Sequence, residues 1–287
     1  MIYVRDKGRM CNNILQYGHL YAWGRKHNRR TLSMRFAYKY PYFHICDTPG
    51  HNFFRYLIGK FGAKWGLFPI AAFNEKGGST EEQEKLLLTS HNAVAEGWEA
   101  RFYPEFLEYF DEIRELFAFK PEVKEAADKF IRENELPGSS RLGIHIRRGD
   151  YARWHGGRYF YDDSQYISVI RNLVEYLWKR DGRPVTVFVC GNDPSLDEAN
   201  LRGSLEEWAS REKGGSAPML KIVFPKGNPG EDLCLLSECD LLAGPPSTFT
   251  LVASMYREIP LYRIEDPSKK IEDGDFGYFR ELFRSII

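Results

Sequence analysis

Two adjacent arginines form the most chemically specific part of the sequence. They lie in the heptapeptide His145-Ile146-Arg147-Arg148-Gly149-Asp150-Tyr151. The hydrophobic residues 142–146 are typical of a buried strand, so the arginines would lie at the carboxyl edge of a sheet, where open α/β folds bind ligands. Neighbouring side chains on a strand point to opposite sides. One guanidinium can therefore face a ligand while the other anchors the turn.

The chemistry that these arginines suit best is binding of a pyrophosphate. The planar fork of arginine donates two parallel hydrogen bonds to such a group. We therefore expect Arg147 to bind an anion. For Arg148, an anion-binding role and an anchoring role fit the sequence equally well. The alternative for both is a salt bridge to Asp150 that only shapes the turn.

Hydroxyl side chains mark a second candidate site, at the start of a helix. The segment that joins a short strand to this helix is Gly244-Pro245-Pro246-Ser247-Thr248-Phe249-Thr250. The free N–H groups of a helix N-terminus attract anions, and hydroxyl groups add donors. Taken alone, the pattern favours an ordinary helix cap. Because it would share a sheet edge with the arginines, we expect Ser247 and Thr248 to bind phosphate.

A third turn from strand to helix lies near the beginning of the chain, in Gly8-Arg9-Met10-Cys11-Asn12-Asn13. A glycine permits close approach of the backbone to a ligand, and Arg9 and the two asparagines offer donors. A plain loop capped by Asn12 explains the pattern equally well. The segment is not a G-x-G-x-x-G fingerprint, so it gives no support to a redox dinucleotide site.

These motifs require a sheet that brings strand ends together, and the second half of the chain predicts one. Residues 136–140 break the pattern, and strands then alternate with helices, which indicates a parallel sheet covered on both faces. The predicted strands cover residues 142–146, 185–190, 220–224, 241–243 and 260–263. The predicted helices cover residues 163–180, 203–213, 231–239 and 247–257.

The first part of the chain gives a weaker pattern. It predicts a strand at residues 2–4, a helix from residue 14, a strand over 31–36, and helices over 104–118 and 121–134. Residues 38–100 show little periodicity. We expect an N-terminal domain over residues 1–138, a nucleotide-binding domain over 139–275, and a helix over 276–287 that packs back on the first domain.

Composition argues against several classes of protein. The 40 basic and 40 acidic side chains leave no net charge, which disfavours nucleic-acid binding. The five cysteines are scattered, so neither a disulfide framework nor a zinc site is expected. No segment approaches the roughly 20 apolar residues of a membrane span, and the N-terminus lacks the apolar core of a signal peptide. We expect a cytoplasmic protein.

Taken together, the motifs resemble those of a known group of enzymes. The chain is similar to fucosyltransferases that carry an H-x-R-R-G-D motif, most closely the bacterial α-1,2-fucosyltransferases of family 11, with kinship to protein O-fucosyltransferases. Further matches are Leu15-Gln16-Tyr17, Tyr159-Phe160-Tyr161 and the acidic helix Asp232-Leu233-Cys234-Leu235-Leu236-Ser237-Glu238-Cys239. The chain departs from the family at Cys11-Asn12-Asn13, Pro246 and Leu251-Val252, which leaves the acceptor and the linkage open.

The resemblance implies a GT-B-like α/β fold, in which two Rossmann-like domains face a cleft. It also implies GDP-fucose as donor, a glycan as acceptor, and inversion at the anomeric carbon without a metal or other cofactor. Arg147 would stabilise the charge on the departing phosphate. Asp150 is a candidate for the base that deprotonates the acceptor, but a carboxylate beside two arginines is a poor base, and an orienting role fits it better. The donor-binding residues would be Gly8, Arg9, Asn12, Asn13, His145, Arg148, Asp193, Asp232, Ser247, Thr248 and Phe249.

Several alternatives stay open at this point. The enzyme could use another GDP-sugar, or the chain could be a non-catalytic nucleotide-binding partner in polysaccharide assembly. His145 could be a buried strand residue, and Asp193 a simple helix cap. Asp273-Gly274-Asp275 spells the D-x-D of metal-dependent transferases but reads as a solvated turn. A lipid-linked acceptor would bring the protein to the inner face of the membrane.

Overall fold

The chain is divided into two α/β units, each with its own sheet. The computed structural model describes residues 1–75, 79–191, 193–211 and 218–285. The units are Met1–Pro121 and Glu122–Ile287, so the division falls at the start of a helix, ahead of the break at residues 136–140 that marked the predicted boundary. The α/β class predicted from the sequence is confirmed.

The first unit contains a four-stranded parallel sheet with the spatial order β2-β1-β4-β3. The strands are β1 (Ile2–Arg5), β2 (Thr31–Ser33), β3 (Ile70–Ala72) and β4 (Ala93–Glu96). The helices are α1 (Met10–Lys26), α2 (Phe53–Lys64), α3 (Glu81–Thr89), α4 (Tyr103–Glu108) and α5 (Phe110–Leu116).

Helix α2 reverses the usual amphipathic pattern. Its buried residues are Gly59 and Gly62. A Cβ atom on Gly59 would lie 2.5 Å from the ring of Tyr3, and one on Gly62 would lie 2.3 Å from the ring of Phe68. The glycines therefore let the helix approach these rings, whereas Phe54 and Trp65 of the same helix are exposed. This inversion explains why residues 38–100 gave no clear helical pattern.

The second unit contains a six-stranded sheet with the spatial order β10-β9-β8-β5-β6-β7, in which only β10 is antiparallel. The strands are β5 (Ser140–His145), β6 (Val185–Cys190), β7 (Leu220–Val223), β8 (Leu241–Gly244), β9 (Leu261–Arg263) and β10 (Phe276–Gly277). The helices are α6 (Pro121–Asn134), α7 (Asp163–Asp181), α8 (Glu198–Arg211), α9 (Pro229–Leu236), α10 (Thr248–Met255) and α11 (Phe279–Leu282).

Helix α7 follows the pattern predicted for it and supplies much of the core. It begins with a capping box between Asp162 and Gln165 and ends at Gly182, whose φ of 63° suits glycine. Its predicted apolar stripe, from Tyr166 to Leu177, is buried. Full burial of each such aliphatic side chain contributes about 1.5–3 kcal/mol relative to exposure.

Three central strands end side by side and define one edge of the sheet. Strand β5 pairs with β6 on one side and with β8 on the other, all in parallel. Their last residues, His145, Cys190 and Gly244, therefore lie at a common edge. The following loops are closely packed, since a Cβ atom on Gly191 would lie 2.6 Å from the carbonyl oxygen of Ile146. The shared edge that the sequence predicted for the two main motifs is present.

The C-terminal segment differs from its prediction as one helix over residues 276–287. Phe276 and Gly277 instead form a strand that pairs with β9, and the helix begins at Phe279. Phe279 and Phe283 are buried and stacked, with ring centroids 5.3 Å apart, and α11 packs against α10 of the second unit. The rings hold the segment in that core, and residues 286 and 287 lie outside the described chain.

The predicted helix over residues 104–118 is also divided, at Tyr109, into α4 and α5. Helix α8 begins at Glu198, earlier than the predicted start at residue 203, and residues 212 and 213 of that prediction lie outside the described chain. Over the described residues, no helix combines the length and apolar character needed to span a bilayer.

Candidate active site

Arg147 follows β5 and is held by three neighbours. Its Nη2 atom donates to Asp150 Oδ2 at 2.9 Å, and Nη1 donates to Ser247 Oγ at 3.5 Å. The guanidinium also lies over the ring of Tyr151, 4.5 Å from its centroid. Its Nε atom is buried and has no hydrogen-bond partner among the described residues. The group is thus fixed in place with part of its donor capacity unused, which suits an anion ligand.

The N-terminus of α10 lies beside this guanidinium. Ser247 caps the helix, and its Oγ accepts a hydrogen bond from the N–H of Phe249 at 3.1 Å. Ser247 and Thr248 are half-buried. An arginine charge and the positive end of a helix dipole therefore meet at one point, as the two sequence motifs together predicted.

Tyr151 ties the two turns of this site together. Its hydroxyl donates to the carbonyl oxygen of Pro246, and its ring is buried beneath Arg147. Tyr166 adds a second link, because its hydroxyl accepts the N–H of Arg147 at 3.3 Å. Sequence reasoning missed both tyrosines as site residues. The signal was present for Tyr151, which closes the arginine motif.

His145 and Phe249 form a stacked pair. Their ring centroids lie 4.7 Å apart with 23° between the planes. The stack joins the last residue of β5 to the first turn of α10, so both residues lie at the same edge as Arg147. The structure brings these two predicted residues together.

Arg148 points to a different set of partners, inside the protein. Its side chain is 5% exposed and pairs with Asp163 and, at 3.3 Å, with Asp193. Its Nε atom donates to the carbonyl oxygen of Tyr161 at 2.7 Å. Two carboxylates and a carbonyl thus hold this guanidinium, which is the arrangement of an anchor rather than of a ligand-binding group.

Asp193 takes part in the same cluster. Its Oδ1 atom accepts hydrogen bonds from the Ser195 N–H at 3.0 Å and from the Ser195 hydroxyl at 2.8 Å. Burial opposes ionisation of the carboxyl, but these hydrogen bonds and the Arg148 charge outweigh it and lower the pKa of Asp193. Asp193 therefore lies in the loop as a charged partner of Arg148.

Asp232 lines a cavity of about 310 Å³ between α9, the loop after β7 and helix α6. Its Oδ1 atom is buried and has no hydrogen-bond partner among the described residues. Burial, reinforced by the neighbouring Glu231, raises the pKa of Asp232 to about 7. A buried carboxylate oxygen without a partner is costly, and it offers a strong acceptor to a ligand with N–H groups.

The predicted first-unit loop is a turn held by its own helix. Gly8 has a φ of 91°, in the region that favours glycine. The Gln16 side chain donates to the Lys7 carbonyl at 2.6 Å and accepts the Lys7 N–H at 3.2 Å. Arg9 is exposed, whereas Asn13 is buried and both its side-chain polar atoms have no partner among the described residues. Asn12 is half-buried.

A buried carboxylate in the first unit was not predicted from the sequence. Asp6 directly follows β1, is 2% exposed, and accepts a hydrogen bond from the Ser33 hydroxyl. Burial raises its pKa to about 8. The N–H of Ser33 donates to His51 Nε2 at 3.1 Å. The signal in the sequence was the position of a carboxylate directly after a strand.

The predicted residues thus fall into four groups. Those around Arg147 lie together: His145, Asp150, Ser247, Thr248 and Phe249. Arg148 and Asp193 form a neighbouring ion-pair cluster, and Asp232 lines its own cavity in the same unit. Gly8, Arg9, Asn12 and Asn13 belong to the first unit. In the D-x-D pair, the exposed Asp273 accepts a hydrogen bond from Tyr176, and the half-buried Asp275 accepts one from Lys269.

Sequence comparison identifies the chain as a glycosyltransferase and supplies its family. The chain belongs to glycosyl transferase family 11, whose sequence model matches residues 97–256, more than half of the chain. The family resemblance noted from the motifs is therefore confirmed. No curated protein sequence matches the chain significantly.

Three solved structures similar to this chain are of fucosyltransferases with low sequence identity. A mutant of FUT1 from Arabidopsis thaliana in complex with GDP shares 12% identity, with 96% of this chain and 73% of that chain covered and a TM-score of 0.67. POFUT1 in complex with GDP-fucose shares 12%, with 90% and 94% covered and a TM-score of 0.58. The α-1,6-fucosyltransferase NodZ soaked with GDP-fucose shares 15%, with 93% and 97% covered and a TM-score of 0.52. These likenesses support the GT-B-like fold.

Proposed function

We propose that this chain transfers L-fucose from GDP-fucose to a hydroxyl group of a glycan. The observation that carries the proposal is the meeting of Arg147 with the Ser247-capped N-terminus of α10. Membership of family 11 and similarity to structures that hold GDP or GDP-fucose support it. Among nucleotide sugars, we propose the GDP-linked donor rather than a UDP-linked one.

In this proposal, Arg147 binds the β-phosphate of the donor. When the bond from fucose to the phosphate breaks, negative charge grows on that phosphate. A fixed guanidinium stabilises this charge more in the transition state than in the ground state, as do the N–H groups of α10. Ser247 and Thr248 would donate further hydrogen bonds. We propose an inverting reaction in which these groups supply the stabilisation that a divalent ion supplies elsewhere.

The guanine base would lie in the cavity beside Asp232. Guanine presents two adjacent N–H donors, which a carboxylate accepts together. The phosphate site lies at the ends of β5 and β8, beside α10, and Asp232 belongs to α9, which packs against α10 and β6. The two sites are therefore neighbours in the second unit, as the phosphate and guanine sites of one nucleotide must be.

Two residues predicted to bind the donor, Arg148 and Asp193, have a structural role in this proposal. Arg148 and Asp193 pair with each other in a buried cluster, so they would hold the loops after β5 and β6 in shape.

Asp150 would orient Arg147 through their 2.9 Å ion pair. His145 and Phe249 would support the donor as a stacked pair, and Gly8, Arg9, Asn12 and Asn13 would contact the phosphates or the fucose.

For the acceptor, we propose a galactosyl residue fucosylated in α-1,2 linkage during cell-surface polysaccharide synthesis. This follows the resemblance of the motifs to α-1,2-fucosyltransferases. All five cysteines are free thiols, which suits a reducing compartment, and we propose that the protein works in the cytoplasm, at the face of the membrane.

A donor panel tests this function. GDP release would be measured from GDP-fucose, GDP-mannose and UDP-galactose, with and without galactosides. Of the three donors, we expect only GDP-fucose to release GDP. The release should be slow without an acceptor and faster with one. Turnover of GDP-mannose instead of GDP-fucose would change the proposed donor sugar from fucose to mannose. Binding of GDP without turnover of any donor would favour a non-catalytic nucleotide-binding protein.

A further inference from the structure

Helix α2 carries an apolar stripe on its outward face. Phe54, Ile58, Phe61 and Trp65 recur at intervals of four, three and four residues, which places them on one side of the helix. Phe54 is 71% exposed and Trp65 is 66% exposed. Leu67, just beyond the helix, is 68% exposed. A stripe of this kind normally faces a core, so its exposure calls for a partner.

The charges around this stripe have one sign. Residues 48–74 contain Arg55, Lys60 and Lys64 but no aspartate or glutamate. The Lys60 ammonium lies 5.9 Å from the centroid of the Phe61 ring, so positive charge lies directly beside the apolar side chains. The chain as a whole is neutral, and the stripe is therefore a local cationic surface. Its partner is expected to be anionic and apolar at once.

A cavity of about 480 Å³ adjoins the helix and carries the same sign of charge. It is lined by four arginines, Arg25, Arg29, Arg30 and Arg55, and by no acidic residue. Arg25 is paired with Glu112 at 3.0 Å. Among the described residues, Arg30 and Arg55 form no ion pair. Arg55 belongs to α2 and lines the cavity, so the cavity adjoins the helix that carries the stripe.

We propose that the first unit docks on an anionic lipid bilayer through this surface. The apolar stripe would enter the boundary between headgroups and acyl chains, as interfacial helices do, and the arginine cavity would receive a lipid phosphate. A second copy of this chain fits less well, because a symmetric contact would bring the same uncompensated cations together. A soluble anion would use the cavity but leave the stripe exposed.

Vesicle binding by the full chain tests this proposal independently of sugar transfer. The probes are phosphatidylcholine vesicles with and without one quarter phosphatidylglycerol, in a sedimentation assay. We expect binding to the anionic vesicles that weakens with salt. The double variant Phe54→Ser/Trp65→Ser should bind roughly a hundredfold more weakly, since each aromatic loses roughly tenfold. Lys60→Gln should lose about fivefold.

Matched controls distinguish binding through this surface from nonspecific adsorption to vesicles. Met219→Ser removes another exposed apolar side chain, 62% exposed in the second unit, and Lys129→Gln removes an exposed cation there. Neither should change vesicle binding, and none of the variants should change GDP release from GDP-fucose in solution. Trp65→Phe should remove the fluorescence change on binding and its quenching by brominated lipids.

Three results would overturn the proposal. The first is absence of binding to the anionic vesicles at moderate salt. The second is equal binding of the native chain and the Phe54→Ser/Trp65→Ser variant. The third is a dimer in sedimentation velocity that this double variant abolishes, which would assign the stripe to a second copy of the chain.

Discussion

Replacement of Asp232 by asparagine should weaken binding of GDP-fucose and remove its dependence on pH. In the structure, the Asp232 carboxylate has a buried oxygen without a partner among the described residues, and its pKa is raised to about 7. If guanine donates two hydrogen bonds to this carboxylate, the bound form is the ionised one. Asparagine offers one acceptor and a donor that opposes the guanine N–H groups.

The size of the effect follows from these contacts. Hydrogen bonds to a charged group contribute about 1.5–3 kcal/mol, and a change of 1.4 kcal/mol is tenfold in affinity. We therefore expect Asp232→Asn to weaken binding by about 10- to 150-fold at pH 8. In the native chain, at a pH below the pKa of Asp232, the carboxyl must lose its proton before GDP-fucose can bind. Native affinity should thus fall by up to about tenfold per pH unit below pH 7.

Isothermal titration calorimetry at pH 6, 7 and 8 measures both effects. GDP-fucose suits this assay because its diphosphate diester does not titrate in this range. Buffers of different ionisation enthalpy report the proton released on binding. Glu206→Gln, an exposed carboxylate on α8, is the control. A native affinity that is flat from pH 6 to 8, together with full affinity in Asp232→Asn, would refute the assignment of the guanine site.

Two further predictions concern stability. Arg148→Ala should destabilise the second unit by about 3–5 kcal/mol in urea unfolding, because it leaves Asp163 and Asp193 without a counter-charge; a loss below about 1 kcal/mol would contradict the anchoring role. Asp6 has a pKa of about 8 in the folded chain, above its unfolded value of about 3.9. Its contribution is therefore complete below pH 4 and is lost as the pH rises through 8, so the native melting temperature should fall between pH 5 and 8. That of Asp6→Asn should fall less, since of the two carboxyls with raised pKa among the described residues only Asp232 still titrates there. An equal slope in both proteins would contradict burial of this carboxyl.

Much of the second unit could be predicted from the sequence because its parallel strands are buried on both faces. Such strands appear as short apolar runs such as residues 185–190, and the helices between them as stripes such as that of α7. The meeting of Arg147 and Ser247 was predictable for the same reason, since both follow strands and parallel strands end at one edge. That prediction required only the alternation of strands and helices along the chain, not the order of strands in the sheet.

Other features depend on packing that a single sequence does not reveal. Helix α2 was not predicted because its buried residues are glycines and most of its large apolar side chains are exposed, the opposite of the usual pattern. The pairing of Arg148 with Asp193 depends on β5 and β6 being neighbours. The raised pKa of Asp232 arises from burial within a folded cavity, which its neighbours in sequence do not indicate.

The most direct test of the account is the rate of GDP release from saturating GDP-fucose by Arg147→Ala and Arg147→Lys. Arg171→Ala, which removes an arginine that lies over Trp208 away from the site, is the matched control. Loss of a preorganised charge at the departing phosphate should lower kcat by about 10²- to 10³-fold in Arg147→Ala, with lysine restoring part of it and the control unchanged. A kcat in Arg147→Ala within a few fold of native, with the donor bound at saturation, would contradict the role assigned to Arg147.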